Sequence, residues 1–163
     1  MGQFIEEESE YSFQQDNPET VDGGSGRTKQ FGDKYGNELR VFDADCLKGI
    51  ETLEIGDDCF KKVSVFVLEG LHDLRSVSIG INSFYLNKKN RNGSKCVIRS
   101  CDCLREITIG LNSFYCYESL VLKDLPSLLF TNLWPVSFPW CSSVVFESEN
   151  RVIIDEILII LCT

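Results

Sequence analysis

Thiols and imidazoles are the side chains whose chemistry would say most about this chain, because they bind metals, form disulfides and act as nucleophiles or bases. The 163 residues include a single histidine, His72. The eight cysteines are Cys46, Cys59, Cys96, Cys101, Cys103, Cys116, Cys141 and Cys162. No two cysteines have the CxxC spacing that structural zinc sites use; the tightest pair is Cys101 and Cys103, with one residue between them. The spacing therefore predicts no metal site and no bound cofactor.

The beginning of the chain bears on the oxidation state of these thiols. Residues 1–6 show no basic region followed by an apolar run, so the sequence predicts no secretory signal. Without export to an oxidising compartment, we expect reduced thiols that serve mostly as small core residues.

An enzyme needs a constellation of groups, and this sequence offers only single parts. One histidine and scattered thiols occur without a nucleophile elbow, a phosphate loop or a metal pair. His72 also lies at a position where other copies of an internal repeat, described below, have Lys48, Asp102 and Pro126, so we expect it to face solvent. The sequence predicts a protein that is not an enzyme.

Charge divides the chain unevenly. Residues 1–45 hold 11 acidic and 4 basic side chains, a net −7 of the total −9. So acidic a chain is a poor candidate for binding nucleic acid, which needs clustered Lys and Arg. Residues 1–36 are also poor in aliphatic side chains, so we expect a disordered acidic segment there.

The far end of the chain is apolar. The stretch Val152–Cys162 is shorter than the roughly 20 residues that span a bilayer, and Asp155 and Glu156 interrupt it, so no membrane span is predicted. Residues 149–163 are expected to be a degenerate terminal strand or a truncated repeat that could support self-association. The sequence does not indicate a cellular location.

Between these ends the sequence repeats itself. Four segments align when they start at Leu47, Leu71, Cys101 and Leu125, with offsets of 24, 30 and 24 residues. The six extra residues of the second copy fall within the polar, basic stretch 87–95, which we expect to loop out of the repeat. We expect about four copies, over residues 37–148, and the fourth is the most divergent.

The pattern inside each copy predicts a mostly β solenoid with two short strands per coil of about 24 residues, stacked in parallel. Apolar residues at Leu53, Val77 and Ile107 form one buried column, and a column of phenylalanines is expected to fill the interior. The glycines at 56, 80 and 110 are expected to turn the chain at positive φ. A second apolar run closes each coil, for example Phe66-Val67-Leu68.

The segments Ile50xxLeu53xIle55xxAsp58, Leu74xxVal77xIle79xxAsn82 and Leu104xxIle107xIle109xxAsn112 resemble the LxxLxLxxN core of leucine-rich repeats, whose period is about 20–29 residues. The Ile-Gly-x-Asn-Ser-Phe continuation is similar to the BspA-like type. The resemblance covers roughly residues 39–148. It implies that Asn82 and Asn112, with Asp58 in the first copy, hydrogen-bond backbone groups as a ladder, and that a protein or glycan ligand binds the concave face.

Two regions are candidates for recognition. The first is the set of exposed side chains on the parallel strands, whose candidate residues are Glu51, Glu54, Arg75, Ser78, Arg105, Glu106 and Thr108. The second is the basic loop, with Lys88, Lys89, Arg91 and Lys95. Each set is also compatible with ordinary solvated surface. Trp134, Phe138 and Trp140 could anchor a partner, although we expect them mainly in the core.

Two functions remain open from the sequence. The chain is either a ligand-recognition module or a structural, self-associating segment of a longer repeat array. Charge reversal at Arg75, Arg105 or Glu106 should impair the first, and deletion of residues 149–163 should impair the second.

Overall fold

The structure is a computed structural model, and it describes residues 20–22, 27–134 and 137–147. The expectations for residues 1–19, 23–26 and 149–163 lie outside the described residues. Ten strands are described: β1 (Thr20–Asp22), β2 (Arg27–Phe31), β3 (Thr52–Ile55), β4 (Val65–Glu69), β5 (Ser76–Ile79), β6 (Lys95–Arg99), β7 (Glu106–Ile109), β8 (Ser119–Lys123), β9 (Phe130–Leu133) and β10 (Ser143–Glu147). The described helical structure is two short 3-10 turns, Ala44–Leu47 and Lys88–Asn90.

The strands form two sheets that share one core. The first sheet has the order β1-β2-β3-β5-β7-β9 and the second the order β10-β8-β6-β4. Every pairing is parallel except that of β1 with β2. Five strands, β2, β3, β5, β7 and β9, therefore mark successive coils of a mostly β parallel solenoid, which confirms the predicted architecture.

The register agrees with the sequence repeat. Leu53 pairs with Val77 and Val77 with Ile107, offsets of 24 and 30 residues. These side chains are buried and alternate with half-buried or exposed neighbours, as expected of strands with one face in the core. The insertion in the second copy leaves β5 and β7 in register.

A column of phenylalanine rings fills the interior, as predicted. Phe60, Phe84, Phe114 and Phe138 are all at most 3% exposed. The rings of Phe84 and Phe114 stack with centroids 4.8 Å apart, and those of Phe114 and Phe138 with centroids 4.9 Å apart. Each of these residues has a positive φ, between 53° and 57°, so the ring stack is built on left-handed backbone.

The glycines after the strands have a different role from the one expected. Gly56, Gly80 and Gly110 are not among the residues with positive φ. A Cβ at Gly80 would lie 2.6 Å from the carbonyl carbon of Gly56, and a Cβ at Gly110 would lie 2.7 Å from that of Gly80. Close approach of successive coils, rather than a left-handed turn, therefore requires glycine here.

The expected asparagine ladder is corrected in the same corner. The Asn112 amide donates to Oδ1 of Asn82 at 3.1 Å, so this contact joins two side chains. Bonds to the backbone of the preceding coil come from the next residue, serine: Ser83 Oγ donates to Gly56 O at 2.8 Å, and Ser137 Oγ to Gly110 O at 2.9 Å. Asn82, Asn112 and Asp58 instead occupy left-handed backbone, with φ of 56–58°. An asparagine or aspartate suits that conformation, whereas the small buried hydroxyl suits the coil contact.

The solenoid begins earlier than the expected boundary at residue 37. Strand β2 pairs with β3 in parallel, and Phe31, 2% exposed, packs its ring 5.3 Å from that of Phe60. This first coil carries Lys29 in the inward column and Gly36 where later coils have phenylalanine, which is why the sequence repeat does not show it. Residues 27–36 therefore belong to the solenoid, and the short strand β1 pairs with its first parallel strand.

Most of the thiols lie in the core, as predicted. Cys59, Cys96, Cys101 and Cys116 are buried, Cys46 and Cys141 are intermediate, and Cys103 is exposed. All seven are free thiols; Cys162 lies outside the described residues. Burial raises the pKa of the Cys96 thiol well above its ordinary value, so the group stays protonated at neutral pH.

Candidate binding face

The predicted recognition residues of the parallel strands share one surface, the outer face of the first sheet. The pairing aligns Glu54, Ser78, Thr108 and Asn132 in one column that crosses β3, β5, β7 and β9. Ser76, Glu106 and Phe130 form the neighbouring column. Thus the structure brings together residues up to 78 positions apart (132 − 54) in the chain.

A third column lies immediately before the strands and contains Glu51, Arg75, Arg105 and Leu129. Backbone bonds align its members: Arg75 N donates to Glu51 O at 2.7 Å, Arg105 N to Arg75 O at 2.8 Å, and Leu129 N to Arg105 O at 3.0 Å. All seven residues predicted for this face therefore lie within three adjacent columns.

The charges on this face are only partly paired. Arg75 Nε lies 3.5 Å from a carboxylate oxygen of Glu51, the cross-strand pair that the sequence suggested. Such an exposed pair contributes a few tenths of a kcal/mol, about the lower end for surface ion pairs. Arg105 and Glu106 are both exposed, and neither has an ion-pair partner within the part of the chain that the structure describes.

Two apolar residues complete the face; the sequence places both in its columns, but they are not among the predicted recognition residues. Leu129 is 67% exposed and Phe130 52% exposed, the first beside Arg105 and the second beside Glu106. The signal was present in the sequence, because the other copies have polar residues in these two columns. Single exposed apolar side chains are common on protein surfaces. An exposed leucine next to an exposed phenylalanine at the edge of a sheet is less usual.

The basic loop is held against the solenoid instead of extending from it. Asn87 Oδ1 accepts hydrogen bonds from Lys89 N and Asn90 N and starts the short 3-10 turn. The Lys88 ammonium lies 4.4 Å from the centroid of the Trp140 ring. Arg91 donates to Trp140 O at 3.1 Å. Two of the four predicted loop residues are therefore engaged with the last described coil.

Further contacts hold the same loop against the third sequence copy. Arg91 Nε is buried, lies 3.5 Å from Glu118 Oε1 and makes no hydrogen bond there, while Gly93 N donates to Glu118 Oε2 at 2.9 Å. Ser94 is 1% exposed, and Lys95 is the first residue of β6. The loop is thus shorter than the predicted stretch 87–95, and only Lys89 and Lys95 are exposed without a contact described for their side chains.

Three aromatic residues of the last described coil differ in burial. Phe138 is in the core, as expected, whereas Trp134 is 51% exposed and Trp140 41% exposed. The expectation of a core position is therefore wrong for the two tryptophans. Trp134 follows the last residue of β9, so it lies at the same edge of the first sheet as Phe130 but at the opposite end of the strand.

The single histidine lies on an exposed corner, as predicted. Its Nδ1 is 2.8 Å from Asp102 Oδ2, and both side chains are more than half exposed. The pair joins equivalent positions of the second and third copies. Within the described ranges, no group of three or more His, Cys, Asp or Glu residues could hold a metal ion, and no helix is long and apolar enough to span a membrane.

Comparison of the chain with protein-family models, curated proteins and solved structures found no match.

Proposed function

We propose that this chain is a non-catalytic binding module of the leucine-rich-repeat type, most similar to the BspA-like repeats, and that it binds a protein or glycan ligand on the outer face of the first sheet. The repeat type is supported by the parallel register of the LxxLxL columns. It is also supported by the Asn or Asp with positive φ that lies shortly after β3, β5 and β7.

One observation carries the proposal. Backbone hydrogen bonds place Leu129 and Phe130 beside Arg105, and all three residues are exposed, so two apolar side chains lie in water next to a cation. Arginine and aromatic residues that become buried on association are the residue types that dominate binding energy at interfaces. Full burial of a phenylalanine side chain contributes about 1.5–3 kcal/mol. Phe130 is already half-buried, so its burial under a ligand would contribute about half of that.

Binding of the purified chain to protein and glycan arrays tests the proposal. A ligand found in this way should bind saturably, and its affinity should fall with Phe130→Ser and with Arg105→Glu. Lys95→Glu supplies a matched control, because it makes the same charge change at an exposed residue of the second sheet. Equal loss with the control variant, or binding that ignores all three substitutions, would remove the first sheet from consideration.

A second candidate function, a structural segment that associates with itself, has its own supporting observation. Val144 of β10 is 38% exposed, although its column partners Leu120, Cys96 and Phe66 are at most 1% exposed. Among the described residues, nothing buries the inward column at this end, and solenoids need their ends covered. Residues 149–163 of a second copy are the proposed cover.

Light scattering after size-exclusion chromatography tests this second candidate. The full chain should form dimers or larger species whose mass rises with concentration, and a chain ending at residue 148 should be a monomer. A full chain that stays monomeric over the same concentrations contradicts self-association.

A further inference from the structure

Two arginines are neighbours on the proposed binding face, and their positive charges are only partly neutralised. Arg75 and Arg105 occupy neighbouring positions in the column before β5 and β7, joined by the 2.8 Å bond from Arg105 N to Arg75 O. Like charges at such cross-strand positions destabilise a sheet. The carboxylate of Glu51 lies 3.5 Å from Arg75 on the side away from Arg105, and Glu106, next to Arg105 in the chain, forms no ion pair with either arginine among the described residues.

The next position in the column is apolar. Leu129 follows Arg105, and Phe130 follows Leu129 in the chain, so a positive site and an uncovered apolar site adjoin. Neighbouring strands are about 4.8 Å apart, so the step from Arg75 through Arg105 to Leu129 covers about 10 Å. This length matches three to four residues of an extended peptide, at about 3.3 Å each.

We propose that the ligand of this face is an extended segment of a protein that places a carboxylate between Arg75 and Arg105 and an apolar side chain on Leu129 and Phe130. The inference rests on the proposed function and names its ligand. A carboxylate accepts charge-assisted hydrogen bonds from guanidinium groups and relieves the repulsion between them.

The same chemistry argues against a glycan as the occupant. A neutral glycan brings no charge for the two arginines. An anionic glycan could pair with them, but its hydroxyl groups would lie over Leu129, where they would lose hydrogen bonds to water without replacement. An aliphatic or aromatic side chain beside an acid satisfies both sites.

Selection from a phage-displayed library of random 12-residue peptides tests the proposal on the full chain. Enriched peptides should carry Asp or Glu within about three residues of a Leu, Ile, Phe or Trp. For a labelled peptide from that pool, Arg105→Glu should weaken binding at least about tenfold, as should replacing the acid of the peptide by its amide, because a hydrogen bond between charged groups contributes that much. Glu106→Lys should increase the affinity for the same peptide, and Lys95→Glu should leave that affinity within about twofold of the value for the natural chain.

The outcomes separate two failures. Peptides that bind through Arg105 and Phe130 but contain no acid, or sulfated glycans that bind through Arg105, would overturn the ligand assignment and leave the binding face in place. Absence of any binder that depends on this face would overturn the assignment and the proposed function together. Circular dichroism of each variant confirms that it is folded.

Discussion

The hydroxyl of Ser83 donates a 2.8 Å hydrogen bond to the carbonyl oxygen of Gly56 in the preceding coil. The same oxygen atom of Ser83 accepts from the backbone N–H of Cys59 at 3.0 Å. Ser113 repeats the arrangement one coil later, where its hydroxyl donates to Gly80 O and accepts from Ser83 N. These serines satisfy buried backbone groups at the corner where the coils come closest.

Removal of the Ser83 hydroxyl should therefore be costly. Ser83→Ala leaves a carbonyl and an N–H unpaired in a site that is 0% exposed, and we expect a loss of about 1–3 kcal/mol in the free energy of unfolding. Urea denaturation should show a lower midpoint with an unchanged slope. Ser143→Ala, at an exposed residue, should shift the midpoint little; equal shifts in the two variants would contradict the role of the ladder.

The glycine column offers a matched pair of substitutions. In Gly80→Ala the new Cβ would meet the backbone of Gly56, so we expect destabilisation of about 1–3 kcal/mol or more. In Gly32→Ala, the equivalent position of the first described coil, no atom lies within 4 Å of the new Cβ, and stability should stay the same or rise by up to about 1 kcal/mol. Thermal unfolding monitored by circular dichroism distinguishes the two. Similar melting temperatures would refute close coil approach as the cause.

One buried hydroxyl lies where the other coils have aliphatic side chains. Thr131 occupies the column of Leu53, Val77 and Ile107, is 5% exposed, and its Oγ1 has no hydrogen-bond partner within the described ranges. Thr131→Val keeps the shape and removes the unsatisfied group, so we expect about 1 kcal/mol of added stability in urea denaturation. Thr108→Val, on the outer face, should add much less. A less stable Thr131→Val variant would mean that the hydroxyl has a partner.

Stability should fall in alkaline solution. Burial raises the pKa of Tyr117 well above its ordinary value, and its hydroxyl donates to Val63 O at 2.6 Å. Because the unfolded chain releases this proton near its ordinary pKa of about 10, the contribution is complete below that pH and is lost as the pH rises above it. Urea midpoints measured from pH 7 to 11 should show this fall. Burial also raises the pKa of the Cys96 thiol, so its contribution to stability should begin to be lost earlier, above the ordinary thiol pKa of about 8.5.

Replacing the tyrosine identifies its share of the alkaline loss. Tyr117→Phe should be less stable than the natural chain at pH 7, because Val63 O loses its donor, and should lose less stability between pH 10 and pH 11. Parallel pH profiles in the two proteins would assign the alkaline loss to other groups.

The repeat could be predicted because each coil makes the same demands on the same positions. Leu53, Val77 and Ile107 must be apolar to fill the core, and Ser83 and Ser113 must be small and polar to bond the adjacent coil. The first described coil escaped detection because Lys29 and Gly36 depart from that pattern while the backbone keeps its register. Backbone hydrogen bonds hold β2 against β3, and these bonds do not require particular side chains.

The candidate face was predictable as a surface but not as a site. Strand alternation places Ser78, Glu106 and Thr108 on one side, whereas the importance of Leu129 and Phe130 depends on how far the folded chain exposes them. For the basic loop, composition suggested a free segment. Its attachment through Arg91 and Trp140 depends on residues 49 positions apart in the chain, and no local pattern encodes that contact.

That attachment changes how the solenoid should unfold. In a simple repeat protein each coil touches only its neighbours, and the ends can fray independently of the middle. Here Arg91 joins the second copy to the fourth, and Glu118 between them binds the same loop. Opening of the last described coil must break a contact made two copies away, so unfolding is expected to be more cooperative than nearest-neighbour stacking alone would make it.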